Sequence, residues 1–169
     1  MLSPKGPQQG KTFMQERPSL EQEEWIFKMI LENIPLSKIA KILELEEDLV
    51  ERCFQQKLNL YAEQHRPAWS QCPTGVVVDR WEMDHFMQLP LFRPSHQYLW
   101  IAFSLSQQRV VAFYVGRNGE RSMQKLWKKL EEFYASSTKE GAALQKETFF
   151  AHDISLFCHW PRPVSPLKQ

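Results

Sequence analysis

Asp84 closes a run of strand-forming residues that begins at Val76, and Asp153 directly follows another, Thr148-Phe149-Phe150-Ala151. Two carboxylates delivered at the ends of neighbouring strands suit a hard divalent cation, magnesium or manganese, which takes oxygen ligands. His85, His152 and His159 stand near these acids, but their spacing fits no common transition-metal motif. A second group of residues has the chemistry to meet nucleic acid. Arg52, Gln55 and Gln56 fall on the outward face of a helix, where guanidinium and amide groups can reach phosphates and base edges. Glu47, Asp48 and Glu51 share that face and oppose a polyanion. Arg117 and Arg121 follow a strand and can also touch a phosphate backbone. For Lys125, Lys128 and Lys129 a solvated helix face is the commoner explanation.

The chain around these residues has 169 residues, 43% of them apolar and 12% aromatic, enough for a core. The net charge of +1 does not mark a general polyanion binder, but it is unevenly spread. Residues 1–66 carry nine Lys/Arg against eleven Asp/Glu, and residues 67–169 carry twelve against nine. Any basic surface is therefore expected in the second part. Cys53, Cys72 and Cys158 are scattered with no CxxC pair, which argues for reduced thiols rather than disulfides or a zinc ribbon. No apolar run has the length of a signal or membrane-spanning segment, so the expectation is a cytoplasmic protein with no membrane partner.

The elements that must position the acids follow from the hydrophobic period. Residues 1–18 read as a loose arm rich in Pro, Gly, Gln and Lys. Ser19 and Gln22 form a capping box ahead of a helix with Trp25, Ile26, Met29, Ile30 and Ile34 as its stripe, ended by Pro35. Short helices follow over about Leu36 to Leu43 and Glu47 to Leu60, so residues 19–62 have a helix-turn-helix plan. Glu44 occupies the place where the turn usually has glycine. Residues 63–75, with two prolines and a glycine, read as a linker. Residues 76–159 then alternate as strands: Val76 to Asp84, Tyr98 to Leu105 and Arg109 to Val115, the last two at hairpin spacing. An amphipathic helix spans Ser122 to Tyr134, and a fourth strand is Thr148 to Ala151; residues 160–169 read as a tail. The predicted class is α+β: three helices, then a partial ribonuclease-H-like domain with a mixed sheet of about four strands and a crossover helix. In that order the first three strands are antiparallel neighbours and the fourth lies parallel beside the first.

Glu82-Met83-Asp84, then Tyr98-Leu99-Trp100-Ile101-Ala102-Phe103 and Arg109 through Gly116-Arg117, resemble bacterial transposases of the insertion-sequence-one family. The resemblance spans about residues 20 to 155. It implies an Asp-Asp-Glu transposase that cleaves and joins DNA with magnesium or manganese, Asp84 and Asp153 being its first two acids and metal ligands. Only sixteen residues follow Asp153, none acidic, so the third acid is expected outside this sequence, metal binding is expected to be weak, and strand transfer is not expected from the chain alone. The family's usual acid after the first Asp is His85 here. The implied partners are the element's DNA ends, further copies of the chain, or a full-length or complementary transposase, in a bacterial nucleoid. A non-catalytic regulator of transposition that binds DNA or protein stays open as the second reading, and a ligand-sensing helix-turn-helix regulator as a third. With no fifth strand and no later helices, apolar surface on Trp81, Phe103 or Phe113 is expected to stay exposed.

Overall fold

Residues 17–69, 72–87, 96–136 and 143–167 are described by the computed structural model. They divide between a helical unit, Met1–Gln56, and a sheet unit, Lys57–Gln169.

In the helical unit α1 (Leu20–Leu31) starts at the predicted capping box. Gln22 N–H donates to Ser19 Oγ at 3.1 Å, and Ser19 N–H to Gln22 Oε1 at 2.9 Å. Its buried stripe is Ile26, Phe27, Ile30 and Leu31, whereas Trp25, expected inward, is 48% exposed with the Lys28 ammonium over its ring. α1 stops at Leu31 because Asn33 turns left-handed (φ 63°), and Pro35 then opens α2 (Leu36–Leu43). Glu44 caps α2 with φ 56° and ψ 43°, the left-handed conformation glycine favours, and Leu45 N–H returns to Ala40 O at 2.9 Å. α3 (Glu47–His65) brings Leu49, Val50, Cys53 and Phe54 into this core, with Phe54 6.2 Å from Phe27.

α3 outruns its expected end at Leu60, and its residues from Lys57 onward belong to the sheet unit. A 3-10 turn at Arg66–Trp69 follows, with Trp69 fully buried. Within the expected linker 63–75, residues 63–65 are thus helix and 66–69 a 3-10 turn anchored by the buried Trp69.

The sheet has five strands in the order β3-β2-β1-β4-β5: β1 (Val76–Glu82), β2 (Tyr98–Ser104), β3 (Arg109–Gly116), β4 (Phe149–Ala151) and β5 (Val164–Pro166). β1–β2 and β2–β3 are antiparallel, and β4 lies parallel to both β1 and β5. The first four strands thus pair as the element order predicts. β5 does not: the expected tail 160–169 holds a fifth strand, and Leu167 N–H donates to Ala151 O at 2.9 Å. Two short helices complete the inventory of the described residues around α5 (Glu120–Ser136): α4 (Met83–Met87) and α6 (Ala143–Lys146).

Strand alternation sorts β1. Val76 and Val78 face a core built with Trp100, Phe149, Phe157, Trp160 and the α5 side chains Met123, Leu126, Leu130 and Tyr134. Val77, Asp79 and Trp81 face the other way, toward the α3 residues from Leu58 to His65, with Trp69 4.9 Å from Phe103 and Tyr61 4.9 Å from Trp81. Both faces are covered. Trp81 and Phe103 are buried and Phe113 half-buried, so the expected exposed apolar surface is absent at the first two.

Candidate functional site

β1 ends at Glu82, two residues before the predicted strand end, and Met83 starts α4. The reason is spacing. Met83 and Phe86, both buried, are three residues apart; a strand would point them to opposite faces, while one helical turn puts them on the same one. Asp84 therefore sits in a short helix beyond the strand, and its side chain lies outside the described residues.

Asp153 follows β4 as the N-cap of a 3-10 turn, Ile154–Phe157. Its Oδ1 accepts from Ser155 N–H at 3.0 Å and from the Ser155 hydroxyl at 2.5 Å. The Ser155 hydroxyl, then its backbone N–H and that of Leu156, hold this exposed carboxyl below the usual carboxylate range, with Arg80 adding to the effect. A cap is thus the role the structure gives Asp153.

The parallel register pairs Val76 with Phe149 and Val77 with Phe150. Counting on, His152 falls level with Asp79 and Asp153 level with Arg80. The two predicted acids are therefore out of step along the strands: Asp84 comes after β1 has run four residues past the level at which β4 ends. The β1 acid that does meet the end of β4 is Asp79.

Asp79 belongs to a set of polar and aromatic side chains that the sequence reading passed over. It is half-buried; its Oδ1 accepts from Arg80 N–H at 2.7 Å and its Oδ2 from the Trp81 indole at 3.0 Å. Burial pushes its carboxyl up, and those two hydrogen bonds, together with His152 and His65, only partly offset the shift. His65 lies between two indoles, nearly parallel to both, with ring centroids 5.1 Å from Trp81 and 6.2 Å from Trp69. Burial lowers the His65 pKa, and Asp79 pulls it back. The Trp69 indole donates to His152 Nε2 at 3.3 Å. Tyr61 packs on Trp81, Phe86 and His65, and its phenol is pushed up by burial, then by Asp79 and Glu82. The available signal was alternation, which sets Asp79 between Val77 and Trp81 on an apolar strand face, with Tyr61 and His65 one helical turn apart.

The Asp79 oxygens are taken by an amide and an indole N–H, Asp153 is engaged by Ser155, and the positive group nearest it by register is Arg80. Among the described residues no group of three or more His, Cys, Asp or Glu side chains is placed to hold a metal ion.

The predicted DNA contacts fall in both units. Arg52 is exposed and donates from Nε to Asp48 O at 3.4 Å, Gln55 is half-buried and Gln56 exposed. The turn ahead of them is acidic: a cleft of about 410 Å³ is lined by Glu44, Glu46 and Glu47 against a single cation, Lys41. Arg121, in the first turn of α5, and Arg117, in the loop before it, are exposed. Their neighbour Asn118 accepts from Arg80 at 2.5 Å, and the Arg80 guanidinium lies 4.4 Å over Tyr98.

Searches against protein-family models, characterised proteins and solved structures give no match to this chain. No described helix is long and apolar enough to cross a membrane.

Proposed function

We propose that the chain is a transposase-family protein, akin to the insertion-sequence-one group, whose part in transposition is to bind rather than to cut. The observation that carries this reading is the strand order β3-β2-β1-β4-β5 with a helix crossing from β3 to β4, which is the order a ribonuclease-H-like sheet requires. The Met-Asp segment after β1, the aromatic β2 and the glycine-ended β3 add sequence support. The helical unit, with its left-handed turn between α2 and α3, supports a helix-turn-helix. Binding is favoured over cutting because Asp153 is spent as a cap and stands level with Arg80 rather than Asp84. In this reading the protein occupies DNA ends or transposase subunits in a bacterial nucleoid.

The test is incubation with supercoiled plasmid and magnesium or manganese, beside Asp84→Ala. Salt-sensitive gel shift without nicking is the expected result. Nicking that Asp84→Ala abolishes would replace the binding role with a catalytic one. Neither nicking nor a shift would remove DNA from the account.

A further inference from the structure

We infer that duplex DNA docks on the outer face of α5, along Arg121, Lys125, Lys128 and Lys129, and not on the predicted recognition helix α3. The inference rests on the DNA-binding reading above and names the surface that serves it.

α5 is fixed to the sheet by Met123, Leu126, Leu130 and Tyr134, all buried. The four cations lie on its opposite side at positions i, i+4, i+7 and i+8, and all are exposed. Arg117, also exposed, extends the row from the loop before the helix. Among the described residues none of these five cations has a salt-bridge partner. α5 also carries three exposed acids: Glu120 at its start, hydrogen-bonded by Gln124 at 3.2 Å, and Glu131 and Glu132 past Lys129, with Glu132 one turn beyond Lys128 on the same face.

Length also fits. From Arg121 to Lys129 the helix rises about 12 Å at 1.5 Å per residue. Phosphates on one DNA strand come about every 3.4 Å of helix axis, so four cations face roughly four phosphates. The charges already stand in a row on a packed helix. α3 offers the reverse: Glu47, Asp48 and Glu51 are exposed around Arg52, beside an acidic turn.

The experiment measures fluorescence anisotropy of a labelled random-sequence duplex with the full chain, between about 50 and 200 mM salt. Three proteins are compared: wild type, Lys125→Gln/Lys128→Gln/Lys129→Gln, and Arg52→Ala/Gln55→Ala/Gln56→Ala. The triple lysine variant is expected to bind roughly tenfold or more weakly and to flatten the log–log salt slope by about 2.7, at about 0.9 per lost phosphate contact. The α3 variant should stay within about threefold of wild type. Lys128→Gln alone, flattening the slope by about 0.9, tests the same surface should the triple variant fold poorly. Unchanged slope and affinity in the lysine variants while wild type binds would overturn the α5 surface and leave the DNA reading standing. Loss of binding confined to the α3 variant would overturn it in favour of the recognition helix. Competition by polyglutamate as effective as that by DNA would mean an acidic-protein surface instead. Absence of binding by wild type would overturn both readings together.

Discussion

Asp79 carries the clearest residue-level consequence, because its carboxyl is held up mainly by burial among Tyr61, His65 and Trp81. A folded pKa above the unfolded one means the folded state binds the proton more readily. This group therefore adds stability below the unfolded value of 3.8, and the contribution is lost as pH rises through the folded value. Asp79→Asn removes the charge and keeps an acceptor for Arg80 N–H or the Trp81 indole. It should match or exceed wild-type thermal stability at pH 7, with the advantage shrinking on acidification toward pH ~4. Asp79→Ala leaves both donors without a side-chain partner and should cost about 1–2 kcal/mol at pH 7, read by urea denaturation. His65 acts with the opposite sign. Its pKa is lowered, first by burial, so the unfolded chain takes up the proton first, and stability falls as pH drops below the unfolded value of 6.5. His65→Phe keeps a ring between Trp69 and Trp81 without the titration, and its melting temperature should vary less than that of wild type between pH ~7 and ~5. A His65→Phe melting temperature that varies as much as that of wild type over that interval would show that His65 does not govern it.

Element boundaries depend on two positions that backbone geometry makes selective. Glu44 takes the left-handed conformation at the end of α2, which costs a side-chain-bearing residue about 1–2 kcal/mol. After the greater entropy that glycine loses on folding, Glu44→Gly should gain about 0.5–1 kcal/mol, seen as a higher urea midpoint with unchanged slope. Gly116 is selective for space: a Cβ there would stand 2.6 Å from both Ser122 Oγ and the Tyr114 ring. Gly116→Ala should therefore cost about 1–3 kcal/mol by pushing the first turn of α5 off the strand. Both positions were visible in the sequence, Glu44 as the missing turn glycine and Gly116 as the end of β3. The three helices, the hairpin and the crossover helix were legible for a similar reason, since each carries its own period or cap. β5 was not: Val164-Ser165-Pro166 is too short to show alternation and is held by pairing with β4, a partner that local sequence does not announce. The end of β1 differs from expectation for a related reason. Met83 and Phe86 needed one face, which converted the expected strand end into α4 and carried Asp84 beyond the level of Asp153.

At the scale of the whole molecule, the sheet needs two apolar layers, and this chain supplies both. α5 covers one face; Leu58, Tyr61, Ala62, His65 and Trp69 cover the other. The sequence suggested that the second face stays exposed and needs a partner, because no fifth strand and no later helices were expected to cover it; residues 63–75 read as linker. Their packing removes that need at Trp81 and Phe103. The cover is also chemically specific, since His65 and Trp69 reach Asp79, Trp81 and His152 at the ends of β1 and β4. Trp69→Ala should accordingly do more than open a cavity. It deletes an indole with no exposed surface, at a cost of about 3–5 kcal/mol, and releases the hydrogen bond to His152. A chain starting at Cys72 would lose the entire layer and expose Val77, Trp81, Ile101 and Phe103 along one sheet face. It should bind the dye ANS strongly and self-associate in gel filtration, whereas the full chain should do neither at the same concentration. Equal ANS binding by both chains would mean that residues 57–69 do not cover the sheet in solution, and would restore the need for a partner on that face.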